Sequence, residues 1–202
     1  KIPGYGRKRE CLRGVMEATS TASQTTGLSP WDLSNNSQSR PEHVMVLGAG
    51  LAGCTTAAAL AERGINVTVL DQGALSGGGS GNDQGVLYTR LSRKHPALVD
   101  FALQGFQFAS NFYRALFREG ELQPYLDGDL CGSFQQSNNT GEMAALSEVL
   151  TGLENLAQVL NAEQANRILG ITQPCAGYWY PGSGWIRPAA VCRALTNRDN
   201  IR

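Results

Sequence analysis

The chain has 202 residues, 42% of them hydrophobic, and its 17 basic and 17 acidic side chains cancel to a formal charge of zero. That length and apolar content support the core of one ordinary domain, or parts of two, and exclude a mini-protein. No apolar run approaches the length of a membrane span, and the N-terminus lacks the apolar core of a signal peptide, so no membrane association is expected and a cytoplasmic protein is.

The charge balance hides one local excess. Residues 1–14 carry Lys1, Arg7, Lys8, Arg9 and Arg13 against Glu10 alone, a cluster that suits phosphate or RNA and equally suits a solvated surface turn. Residues 1–17 are too short to fold alone and read as the end of a preceding domain. The chain opens on Lys1, which predicts a start within a longer protein. Residues 18–42, rich in Ser, Thr, Asn and Gln with Pro30 and Pro41, have no sustained periodicity and read as a linker.

The most informative segment follows. An apolar strand, Val44–Leu47, runs into Gly48, Ala49, Gly50, Leu51, Ala52 and Gly53. The three glycines permit a tight turn, close backbone approach to a pyrophosphate, and close packing of helix on strand. A helix is predicted from Leu51 to Arg63, with Gly64 as its left-handed stop. Its N-terminal amides and dipole suit an anion without any lysine. A second strand, Val67–Leu70, ends at Asp71, where a carboxylate accepts hydrogen bonds from an adenosine ribose and repels a 2′-phosphate, which argues against NADP. A glycine-rich turn alone occurs in many α/β proteins. Strand, fingerprint, Ala-rich helix, Gly64, strand and terminal acid in this order make a dinucleotide-binding βαβ unit.

After the second strand, Ser76–Tyr88 is dense in glycine and offers Ser80, Asn82 and Gln84 as hydrogen-bonding side chains. Composition leaves a solvated loop and a cofactor cradle equally open. Arg90, Arg93, Lys94 and His95 form a second small basic cluster, read by default as solvated surface, with a substrate-anion role as the alternative. Residues 96–118 place Leu98, Phe101, Ala102, Phe106, Ala109, Phe112, Tyr113, Leu116 and Phe117 at helical spacing behind Pro96. This stripe is expected to be core. From Leu122 onward the pattern predicts a strand at Leu130–Gln135, a helix at Gly141–Leu150, a helix at Ala162–Leu169 capped by Asn161, and a Pro188-started helix through Leu195. Gly177–Ile186 mixes aromatics with glycines and reads as a pocket lining, with Tyr178 and Trp185 as candidate wall residues, or as a hairpin packed on its own sheet.

Five scattered cysteines show no metal-ligand spacing, so no metal is expected. Cys54, in the first helical turn, is read as a buried apolar residue.

The fingerprint, the acid that follows it, and Ser80–Gly81–Asn82–x–Gln84–Gly85–x–Leu87–Tyr88 resemble the FAD-dependent oxidoreductases of the D-amino-acid oxidase/glycine oxidase superfamily. With Pro181–Pro188 and Gly4–Glu10, the chain resembles the branch that modifies a tRNA wobble uridine and carries an upstream methyltransferase domain. The resemblance implies an α/β fold: a Rossmann-like FAD-binding βαβ domain with a second α+β substrate domain, truncated at both ends. In chain order it implies a methyltransferase tail (1–17), a linker (18–42), the first part of the FAD-binding domain (43–121), a partial substrate domain (122–187), and a helix returning to the FAD-binding domain (188–202). It assigns Gly48, Ala49, Gly50, Leu51, Ala52, Gly53 and Asp71 to the dinucleotide, and Ser80, Gly81, Asn82, Gln84 and Gly85 to the flavin side. FAD is the implied cofactor and tRNA the implied partner. The implied reaction is oxidative removal of the carboxymethyl part of 5-carboxymethylaminomethyluridine. No catalytic acid or base is named. The alternatives are a small amine or amino-acid oxidase of glycine oxidase type, acting on a small-molecule substrate, and an inactive dinucleotide-binding fragment.

Overall fold

In the computed structural model, β1 (Ile2–Pro3) pairs antiparallel with β2 (Glu10–Cys11). The structure describes residues 2, 3, 10, 11, 40–89, 91 and 96–202. The expectations for the rest of residues 1–42 and for the basic cluster at Arg90, Arg93, Lys94 and His95 therefore lie outside the described residues. Residues 1–40 form one unit by their contacts and residues 41–202 another.

The second unit opens on β3 (His43–Leu47), α1 (Leu51–Ala61) and β4 (Asn66–Leu70). The two strands pair in parallel, Val44 opposite Val67 and Val46 opposite Val69, which requires a crossover, here α1. The helix forms on an alanine-rich run and ends one turn before Gly64, whose φ of 73° reverses the chain. Cys54, Ala57, Ala58 and Ala61 are its buried residues. Small side chains on that face let other elements approach closely.

The last residues of the chain return to this sheet. The Val67 amide donates to the Asn200 carbonyl at 2.8 Å, the Arg202 amide to Val67 at 3.0 Å, and the Val69 amide to Arg202 at 2.8 Å. Residues 200–202 thus run beside β4 in parallel. They reach it from α5 (Pro188–Thr196), which packs on α1 through Ala190, Val191, Cys192 and Leu195. On the other face of the sheet Met45, Leu47 and Leu70 are exposed.

Two antiparallel three-stranded sheets lie between these ends. One has β10 (Gly184–Ile186) between β5 (Gly85–Leu87) and β6 (Gly128–Asp129). The other has β9 (Gly177–Tyr180) between β7 (Ser133–Gln136) and β8 (Gln158–Leu160). The strand expected at Leu130–Gln135 begins later, as β7 at Ser133, and residues 130–132 separate it from β6 in the other sheet. The break is Gly132, at φ 85°, where an added side chain would overlap the Trp179 ring. Likewise β9 and β10 are not a hairpin, because each pairs with partners in its own sheet. Segments 128–136 and 177–186 form one antiparallel ribbon bent at a single point, where the Gly132 amide donates to Ser183 at 2.9 Å.

Three helices pack around the ribbon. α2 (Pro96–Arg118) matches the predicted span. Its core line is Phe106, Ser110 and Leu116, with Phe112, Tyr113 and Phe117 partly buried. Phe101 is a correction: it is 76% exposed. Five residues separate it from Phe106, about 140° around the helix, so it points away from the buried line. α3 (Thr140–Val149) starts on Asn139, whose side chain accepts the Glu142 amide at 3.1 Å. α4 (Ala162–Leu169) starts on a reciprocal capping box between Asn161 and Gln164 and ends at Gly170 with φ 67°. A second core cluster joins Phe106, Met143, Leu146, Leu150, Ala157, Tyr178 and Tyr180. Among the described residues no helix is long and apolar enough to cross a membrane.

Candidate dinucleotide site

The C-terminal ends of parallel strands are where open α/β sheets bind ligands, since the turn into the next helix leaves a crevice there. Between β3 and β4 that crevice measures about 400 Å³ and is lined by Leu47, Gly48, Leu70, Asp71 and Gln72. Leu47, 82% exposed, and Leu70 give it an apolar wall, Asp71 a carboxylate.

The turn itself is sterically determined. Gly48 sits at φ 103°, a conformation that side chains other than glycine rarely adopt. A side chain on Gly53 would overlap the Gly48 carbonyl oxygen, so α1 meets the turn backbone to backbone. A Cβ on Gly50 would stand 3.0 Å from the Ser80 hydroxyl. Each fingerprint glycine therefore has its own reason: conformation, approach, packing.

Asp71 fixes the turn from the second strand. Its Oδ2 accepts the Ala49 amide at 2.7 Å and its Oδ1 the Gly73 amide at 2.8 Å. The Ala49 bond, then the Gly73 bond, hold its carboxyl below the ordinary value of 3.8. The two oxygens of an ionised carboxylate have about four lone-pair sites between them, so the carboxylate can still accept from a ribose hydroxyl.

The glycine-dense loop closes over the turn. The Ser76 amide donates to Ala49 O at 2.9 Å, and Ser80 Oγ accepts the Leu51 amide at 3.0 Å. Ser80 and Gly81 lie on a short 3-10 turn, Gly79–Gly81, and a side chain on Gly81 would press the Ser76 carbonyl at 2.8 Å. The loop and the fingerprint thus form one construction, with Ser80 bonded to the helix N-terminus. Asn82 instead donates back to Gly79 O at 3.3 Å. Gln84 is exposed, and Gly85 pairs with Ile186 in β5. Of the five flavin-side candidates, the structure brings Ser80 and Gly81 to the turn and leaves Asn82, Gln84 and Gly85 beyond it. Ser76, which bonds the turn and has φ 58°, carried no signal beyond its place in the glycine-rich segment.

The first-turn amides of a helix have no intrahelical acceptor. With Leu51 given to Ser80, those of Gly50, Ala52 and Gly53 remain for a phosphate, beside an apolar wall and a carboxylate. This donor set suits a dinucleotide. Cys54, in the same turn, is fully buried, and burial and the Cys192 thiol push it up to about 12. It stays a neutral packing residue. Tyr178 is likewise a buried core residue, and Trp185 lies half-buried on the central strand β10. Among the described residues no group of His, Cys, Asp and Glu side chains could hold a metal ion.

A family model described as FAD dependent oxidoreductase matches residues 43–198. The chain belongs to this family. FAD is the cofactor of the FAD dependent oxidoreductases, and the donor set fits it.

Curated proteins named tRNA 5-methylaminomethyl-2-thiouridine biosynthesis bifunctional protein MnmC are among those similar to the chain. The protein from Stutzerimonas stutzeri is 37% identical across the whole chain, which covers 29% of that relative. Those from Marinobacter nauticus and Legionella pneumophila are 35% and 32% identical, again across the whole chain and 30% of each relative. The chain thus spans less than a third of the length of these relatives. Among solved structures, L-proline dehydrogenase from P. horikoshii aligns with a TM-score of 0.58 at 20% identity over 77% of this chain and 40% of that one. Glycine oxidase from Geobacillus kaustophilus aligns at 0.56 and 21% over 76% and 42%. These two share the fold.

Proposed function

We propose that residues 43–202 are the opening part of the FAD-dependent oxidoreductase of a tRNA-modifying enzyme, and that its substrate is the 5-carboxymethylaminomethyl group of a wobble uridine. The reading rests above all on one observation: similarity to the MnmC proteins runs through residues 1–42 as well, outside the part that the oxidoreductase model matches. A small amine oxidase of glycine oxidase type shares only the latter. On this reading residues 1–17 end a methyltransferase domain, residues 18–42 link it, and the antiparallel sheet of β7, β9 and β8 belongs to a substrate-binding part.

The chain's task is binding and orientation. Gly48 and Gly50 hold the turn open, and the amides of Gly50, Ala52 and Gly53 meet the pyrophosphate. Leu47 and Leu70 face the adenine side, and Asp71 accepts the ribose hydroxyls. Ser80 and Gly81 hold the loop against the helix end, so that Asn82, Gln84 and Gly85 follow on the flavin side. Bound FAD would supply the two-electron oxidant for a C–H bond beside nitrogen, and water would take up the oxidised carbon, so that the carboxymethyl part would leave as an aldehyde and the aminomethyl group stay on the uridine.

The test is to load the protein with FAD, mix it without oxygen with tRNA carrying the carboxymethylaminomethyl group, and analyse the nucleosides. Aminomethyluridine with loss of the flavin's visible absorbance is the expected result. Bleaching by glycine or sarcosine, with the tRNA unchanged, would replace the reading with the small-molecule oxidase.

A further inference from the structure

A polar cavity of about 680 Å³ lies between α2, the loop of residues 152–156 and the turn from β9 to β10. That volume is typical of ligand pockets. Gln107, Ser110, Asn111, Arg114, Asn155 and Gly182 are among its lining residues, and no carboxylate lines it among the described residues. The carboxylate of that loop, Glu154, is turned onto the Gly152 amide at 2.9 Å.

Arg114 is held in place. One guanidinium nitrogen donates to Asn111 Oδ1 at 3.0 Å and the other to Ser110 Oγ at 3.4 Å, and Ser110 is buried. A guanidinium has five N–H donors in a fixed fork, so donors remain for a ligand. On the opposite wall, formed by Pro181 and Gly182, the backbone packs closely on α2: a Cβ on Gly182 would stand 2.7 Å from Ser110 Oγ. That wall is also tied to the cofactor side: the next residue, Ser183, donates its hydroxyl to the Leu87 carbonyl, on the strand that leaves the loop holding Ser80. An oriented cation and neutral amide groups, with no carboxylate among the described lining residues, suit an anion with hydrogen-bonding neighbours.

We propose that this cavity takes a backbone phosphate of the tRNA substrate, with Arg114 on the phosphate oxygens and Gln107 and Asn155 on the adjoining ribose or base edge. The proposal rests on the tRNA reading above. Because β10 and β5 join the cavity wall to the cofactor loop, a phosphate held here would fix the distance of the modified nucleotide from the flavin.

The test is anisotropy of labelled anticodon stem-loop RNA titrated with the FAD-loaded chain at several salt concentrations, for the wild type, Arg114→Gln and Arg114→Lys. Arg114→Gln is expected to bind RNA about ten-fold more weakly. It should also lower the salt dependence by about one phosphate contact. Arg114→Lys should recover the salt dependence and only part of the affinity, and both variants should hold FAD as the wild type does, which shows that they are folded. RNA binding indifferent to Arg114 in affinity and salt dependence would overturn the cavity while leaving the tRNA reading intact. A wild-type chain that takes up FAD and binds no stem-loop RNA would overturn the tRNA reading and this proposal with it.

Discussion

The crevice at the ends of β3 and β4 and the cavity beside α2 are both suited to anions, yet they are built in opposite ways. The crevice has no cation among its lining residues: it offers backbone amides at the head of α1, and glycine at 48, 50 and 53 leaves them open to approach. The cavity uses a side-chain cation, Arg114, steadied by its neighbours Asn111 and Ser110. A backbone site is a property of one contiguous turn and fails when any atom is added to it. A side-chain site is assembled from distant segments, tolerates changes of shape, and fails when its charge is removed.

The sharpest way to break the first site is Gly53→Ala. The new methyl would overlap the Gly48 carbonyl oxygen, a backbone atom that cannot swing aside, and the unit should lose about 1–3 kcal/mol of stability or more in a denaturant titration. Gly50→Val comes next. Its Cβ meets only the Ser80 side chain, at 3.0 Å, so the chain should fold, as circular dichroism would report, while the branched side chain fills the pyrophosphate's place and stoichiometric FAD is lost. Asp71→Asn keeps the shape but removes the charge and one of two acceptors, and FAD affinity should fall by about ten-fold or more in a fluorescence titration.

Acidity probes the same carboxylate. A group whose value is depressed in the folded state stabilises it above the ordinary value and loses that contribution as pH falls through the depressed one. Asp71 lies below 3.8 because of the Ala49 and Gly73 amides, so the turn should weaken only in strong acid, and Asp71→Asn should remove that part of the acid dependence of FAD release. The smallest effect is expected from Ser80→Ala, which frees the Leu51 amide and should cost about 1 kcal/mol in thermal unfolding.

Local signals made much of this legible before any coordinates. The fingerprint glycines, the acid after the second strand, the Pro96 start of α2 and the Asn161 cap of α4 are each written within a few residues, and each element begins where its signal stands. What composition left open was long-range. Whether Ser76–Tyr88 was a solvated loop or part of the site depended on the Ser80 hydroxyl reaching an amide 29 residues away. The strand expected from Leu130 starts only at Ser133, because Gly132, at φ 85° and facing the Trp179 ring, turns the chain between the two sheets. Residue type and rough spacing place Phe101 with the core, and only the orientation of α2 separates it from Phe106. The Arg114 cavity has no signature in sequence, since its walls come from α2, residues 152–156 and the β9–β10 turn.

The most direct test of the central claim is the visible spectrum of the purified chain beside that of Gly50→Val, with the released cofactor identified after denaturation. A flavin spectrum and FAD released at one equivalent are expected from the wild type, and neither from a folded Gly50→Val. A folded wild type without flavin, or a Gly50→Val that retains full FAD, would contradict that claim.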